Sequence, residues 1–170
     1  MHANQDCISV KGTVLAVIFN LDGSINRVVK GKNIVTNDGD LYYAQRGVEA
    51  SVTDDFTAGG IRLGSDNTAP TKTDTDVTSF ITSASKAESS GYPKVNDTDA
   101  NNTGSGTDIA TWKFEFTAGD FTAAAVKEGA IVDNITTPTA ALCHFLFAAS
   151  FAITSSMALT VFVNHEFLGA

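Results

Sequence analysis

The chain has 170 residues, 43% of them apolar and only 18% charged, with a net charge of −8. That length buries a core without disulfide or metal staples, and an acidic chain with no cluster of Lys and Arg argues against a phosphate-gripping, nucleic-acid-binding surface. No run approaches the ~20 apolar residues that span a bilayer, Met1 to Asp6 lacks the basic start and apolar core of a secretory leader, and Cys7 and Cys143 frame no disulfide scaffold. The expectation is a soluble protein folded in a reducing cytoplasm, with no membrane partner.

A short arm, residues 1–7, precedes the first periodic segment. From Ile8 to Phe19, β-branched residues alternate over a length that predicts a strand covered on both faces in its second half. Asn20 to Ser24 contains the Asp22-Gly23 step of a hairpin turn, and Ile25 to Val29 reads as the return strand, closed by Lys30-Gly31-Lys32. A short helix is expected from Asn37, with Asp38 and Asp40 in its first turn, Leu41, Ala44 and Val48 at helical spacing, and Gly47 as a left-handed stop. A short strand around Ile61 to Leu63 lies between glycines. Ser65 to Asp76 is a loop whose Asp, Asn and Thr side chains offer the backbone local hydrogen bonds. Val77 to Ile81 reads as a short turn or strand, Ser83 to Val95 as a polar strand, and Asn96 to Asp108 as an exposed loop tip.

The last third is a run of strands. In Ile109 to Thr117, Ala110, Trp112, Phe114 and Phe116 share one face. Ala123 to Val132, Leu142 to Ile153 and Leu159 to Leu168 follow. About eight strands, one short helix and long polar loops predict an all-β antiparallel sandwich or jelly roll in a single domain, residues 8–170. The Leu142 to Ile153 strand is apolar on both faces, so the helix or a neighbouring subunit must cover the second face. A subunit interface would use Phe145, Phe147, Phe151, Leu159, Val161 and Val163, in a homo-oligomer expected to be a trimer.

Catalytic constellations are not legible, and no cofactor motif appears. His165 and Glu166 point to opposite faces of a strand, as do Cys143 and His144, so neither pair can share a ligand. His144 reads as a packed or interface histidine, and Cys143 as a small buried hydrophobe. Asp97, Asp99 and Asn101 carry the alternating oxygens of a calcium loop. However, Asn102 stands where the calcium hand needs Gly, and Asp108 where it needs Glu. They form a weak cation candidate, and the solvated-loop reading outweighs it.

Three stretches resemble structural proteins of tailed-bacteriophage virions: Gly31-Lys32-Asn33-Ile34-Val35-Thr36-Asn37-Asp38-Gly39 at the entry to the helix, Gly60 to Asp76 with its Leu63-Gly64 and Thr68-Ala69-Pro70-Thr71 steps, and Ile153 to Val161 leading into the last strand. The long Ser83 to Asp108 excursion and Met157-Ala158 depart from that pattern. The resemblance implies a non-enzymatic β-sandwich component of a phage particle. Foremost is a capsid decoration (cement) protein, made in the bacterial cytoplasm, that sits on a head of major capsid protein. A tail, neck or receptor-binding module is the first alternative. A carbohydrate-binding module stacking sugars on Tyr42, Tyr43, Tyr92 or Trp112 is the second, although the alternation around Trp112 places that ring in the core.

Overall fold

The computed structural model describes residues 9–48 and 56–168, so the arm read over residues 1–7, with Cys7, lies outside them. The elements are β1 (Ser9–Phe19), β2 (Ile25–Val35), α1 (Asn37–Val48), β3 (Gly60–Gly64), β4 (Phe80–Lys86), β5 (Lys94–Val95), β6 (Ile109–Phe116), β7 (Ala123–Val132), β8 (Ala141–Ile153) and β9 (Ala158–Leu168). The class is all-β and antiparallel with one short helix, as expected. The strands do not form two facing sheets. They make one nine-stranded sheet, in the order β4-β3-β7-β8-β2-β1-β9-β6-β5, curled into a half-barrel. The curl brings the end of β4 back towards β6: Ser89 N–H donates to the Lys113 carbonyl at 2.9 Å, and Lys86 Nζ reaches Asp120 at 2.6 Å.

Alternation along the strands decides which face each side chain takes. Val14, Ala16 and Ile18 of β1, Trp112, Phe114 and Phe116 of β6, and Leu159, Val161 and Val163 of β9 point into the curl. Phe145, Phe147 and Phe151 of β8 join them, with rings edge-on at 5.3 and 5.0 Å. Burying each such large side chain stabilises the fold by about 1.5–3 kcal/mol. The six residues expected at a subunit interface all lie in this core. A curled sheet encloses its own inner face, so their apolar character needs no neighbour to explain it. The exposed residues of β8 are Ala148, Ala149, Ser150 and Ala152.

β2 runs on to Val35, because Lys30 and Lys32 project outward while Gly31 lies under the Leu146 carbonyl, only 2.5 Å from where a Cβ would sit. The polar strand expected from Ser83 is really β4, which begins at Phe80 and ends at Lys86. The helix is capped by Thr36, whose Oγ1 accepts from Gly39 N–H at 3.1 Å while its carbonyl accepts from Asp40 N–H at 2.9 Å. It buries Gly39 and Tyr42, whereas Leu41, Ala44 and Val48 face outward. Gly47 stays within the helix and adopts no left-handed φ. Gly39 is required by closeness, since a Cβ there would stand 2.0 Å from the Leu142 carbonyl oxygen. Gly39→Ala is therefore expected to destabilise by about 1–3 kcal/mol, although helix propensity alone favours Ala by about 1 kcal/mol. A thermal melt checks the sign: Tm falls, and a rise would contradict the packing.

Candidate functional site

Two long loops fold back over the outer face of the sheet, and buried polar groups hold each in place. The first is the segment 65–79. Beneath it, Glu128 of β7 is fully buried and accepts from Thr78 N–H and Ser79 N–H, each at 2.9 Å, and from Asp66 N–H at 3.2 Å. His144 of β8 lies beside it, with Nε2 2.9 Å from Glu128 and Nδ1 2.6 Å from Asp74. Asp74 is itself fixed by Thr71, through N–H at 2.8 Å and Oγ1 at 2.5 Å. Burial opposes charge on all three groups. It is outweighed at His144 by the two carboxylates, which raise its pKa, and at Glu128 by His144 and the backbone donors, which lower it. At Asp74, Thr71 and His144 likewise overcome burial and lower the pKa. An imidazole held between two carboxylates that favour its protonated form thus fastens the loop. Arg62 adds to the clasp, donating from Nε to Asp76 at 2.9 Å and from a terminal nitrogen to the Ile135 carbonyl at 2.6 Å, with its guanidinium stacked 3.6 Å over Phe80. His144 is packed, as expected, but its partners Asp74 and Glu128 were not visible in the sequence.

The second loop, 96–108, is no free tip. Asp97 is 1% exposed, and its carboxylate accepts from Tyr92 Oη at 2.9 Å and Asn102 Nδ2 at 2.8 Å while pairing with Lys94 at 3.1 Å. Asn102 and Asn164 of β9 exchange amide hydrogen bonds at 3.0 and 3.2 Å, and Thr111 donates to Asn164 at 2.8 Å. Asp99 accepts from Asn101 N–H at 2.9 Å and pairs with Lys113 at 3.1 Å. The Asp97 and Asp99 carboxylates of the calcium-loop reading are thus engaged by lysines and amides, and Asn101 contributes its backbone N–H. Among the described residues, no group of three or more His, Cys, Asp and Glu side chains is placed to hold a metal ion.

The inner face carries a separate network under the helix. His165 is fully buried between Asn33 Nδ2 and Tyr43 Oη, each 2.5 Å from one ring nitrogen, and Trp112 Nε1 donates to Tyr43 Oη at 3.4 Å. Burial depresses His165 to about 3, which keeps the ring neutral, and pushes the Cys143 thiol up to about 12. His165 and Cys143 face inward while His144 faces outward, so the three share no site. Tyr42 and Trp112 are buried, Tyr43 serves this network, and Tyr92 lies beside Lys94 with its hydroxyl on Asp97. These rings form no shared platform for a sugar.

Between the two loops the central strands stay open. A groove of ≈ 840 Å³ runs over β1, β2 and β8, with Pro70 on one wall and Thr103 and Gly104 on the other. Its floor mixes Leu146 and Ala148 with Thr13, Lys30 and Lys32. Strand pairing sets Lys32 beside Thr13 and Leu146, and Lys30 beside Leu15. It is a concave feature that the bracing of both loops leaves accessible. No helix among the described residues is long and apolar enough to cross a membrane. No family model matches the chain, and no curated protein and no solved structure matches it.

Proposed function

We propose that the chain is a non-enzymatic structural component of a phage virion, a capsid decoration protein that binds the assembled head and stabilises it. Its partners in this reading are the major capsid protein and further copies of itself, arranged as a homotrimer on the capsid surface. The observation that carries the reading is where the ionizable groups go. Both nitrogens of His144 and both of His165 are occupied by side chains of the same chain, and Asp74, Glu128 and Asp97 serve to clamp loops. The chemistry is directed at holding a surface in shape. The resemblance of the 31–39, 60–76 and 153–161 stretches to phage virion proteins supplies the setting.

A cement protein binds a site that exists only in the assembled shell, so it raises shell stability by mass action, about 2.7 kcal/mol per site at a hundredfold excess over Kd. The expected result is that particles lacking this protein release their DNA on heating at a lower temperature than complete particles, and that complete particles carry it in hundreds of copies by quantitative gel. Equal release temperatures, together with loss of adsorption or of tail joining, would replace this role with one in the tail or neck.

A further inference from the structure

The groove over β1 and β2 differs in charge from the rest of the molecule. Nineteen acidic residues face eleven basic ones, and most basic side chains are committed internally. Arg62 pairs with Asp76, Lys72 with Asp40, Lys86 with Asp120, Lys94 with Asp97, and Lys113 with Asp99 and Glu115, at 2.6 to 3.1 Å. Lys11, at the end of the groove, is tied to Glu166 at 3.3 Å. Lys30 and Lys32 are different: both are exposed, both line the groove, and neither has an ion-pair or hydrogen-bond partner among the described residues. They alternate along β2, so both project from the outer face, about 6.8 Å apart.

We infer that this groove binds an extended acidic segment of a partner protein, with carboxylates at alternate positions. An extended chain presents side chains i and i+2 on one face at the same spacing of about 6.8 Å, so two such carboxylates meet Lys30 and Lys32 in register. An apolar side chain two residues further along the same face falls at Ile34, while Leu146 and Ala148 flank the chain alongside Lys32 and Lys30. The walls at Pro70 and Gly104 leave room for a narrow chain lying on the floor. Charge selects a short acidic peptide over a long polyanion. The one basic residue of the two flanking loops, Lys72, is paired with Asp40, and the whole chain is at −8, so a phosphate backbone leaving the groove finds no further cations to neutralise it. The site does not depend on the virion reading.

The test is a fluorescence-anisotropy titration of the full-length protein into a fluorescein-labelled peptide of about ten residues that alternates Asp with Val. Saturable binding is expected, weakening as salt rises from about 20 to about 200 mM. The same peptide with Asn for Asp should bind at least about tenfold more weakly. The double variant Lys30→Glu, Lys32→Glu should lose at least about tenfold while keeping its circular dichroism spectrum and Tm, because both side chains stand in solvent. Absence of saturable binding up to about 1 mM, equal binding of the Asp and Asn peptides, or undiminished binding by the double variant would overturn the inference. So would tighter binding of a labelled ten-nucleotide oligothymidylate, which would make the groove a general polyanion site. None of these results bears on particle stability, which the DNA-release measurement decides.

Discussion

Glu128→Ala is expected to cost about 3–5 kcal/mol of folding stability, since it removes the more deeply buried of the two carboxylates that support His144. It also strips the acceptor from the N–H groups of Asp66, Thr78 and Ser79 and leaves His144 with Asp74 alone. Glu128→Gln keeps the shape and one acceptor oxygen but removes the charge, and the expected loss is smaller, about 1–3 kcal/mol. Chemical denaturation measures both variants, and hydrogen exchange locates the damage: amides of the 65–79 segment should lose protection first, ahead of the β1–β9 ladder. A loss below about 1 kcal/mol in Glu128→Ala would mean that the loop is held by other contacts and that the ion pair is incidental.

Glu88→Gln is expected to steepen an acid dependence that the natural chain partly offsets. His165 is held neutral with its pKa depressed to about 3, so the unfolded ring takes up a proton below about 6.5 and the folded one does not. Stability therefore falls as pH drops through that range, by about 1.4 kcal/mol per pH unit. Glu88 works in the opposite direction. Burial raises its carboxyl to about 7, so the folded state holds a proton that the unfolded state releases until about 4.5. This proton uptake stabilises the fold as pH drops from 7 to 4.5, though solvent access weakens the effect. His144, raised by its carboxylates, is protonated in both states below 6.5, so its contribution stays constant there and is lost only as pH rises through its folded pKa. The wild-type urea midpoint should thus decline less between pH 6.5 and 4.5 than that of Glu88→Gln. Parallel profiles for the two proteins would show that Glu88 takes up no proton on folding in this range. Below that window both should lose stability, as Glu128, Asp74 and the other carboxylates with lowered pKa values are protonated.

The strands were legible where one face alone is buried or where apolar runs end at turn residues. β6 shows its Trp112-Phe114-Phe116 face in plain alternation, and β7, β8 and β9 fall within a residue of their expected limits. The second half of β2 was lost because Lys-Gly-Lys has turn composition. The reason it is a strand lies in β8, whose Leu146 carbonyl leaves no room for a Cβ at Gly31. The helix starts at Asn37, as its sequence signals indicate, but turns its Gly39 and Tyr42 side to the sheet. Its spacing offers Leu41, Ala44 and Val48 as one face, while closeness to Leu142 and the ring contacts of Tyr42 select the other. A single curled sheet and two facing sheets bury the same alternating pattern, so periodicity cannot tell them apart. The loop clasps were invisible for a different reason. Asp74, Glu128 and His144 are far apart in the chain and lie in segments of unlike character, so no spacing rule joins them. The groove lysines had no local signal beyond the missing partners, which only the folded chain reveals.

The β1–β9 pairing also sets the order in which this protein can form. Every residue from Ser9 to Phe19 takes its partner from Leu168 back to Ala158, so the central ladder joins segments about 150 residues apart. A ribosome that has released β1, β2 and even β8 has yet to deliver the strand that joins β1 to β6. Until then β1 exposes an open edge beside Val14, Ala16 and Ile18. Closing so long a loop is slow relative to local hairpins, and an uncovered apolar edge is a template for pairing with other chains. The hairpin turn at Asp22-Gly23 and the early cap on α1 are local structures that can form meanwhile. Completion waits for the last strand, and crowding of nascent chains is the hazard built into this topology.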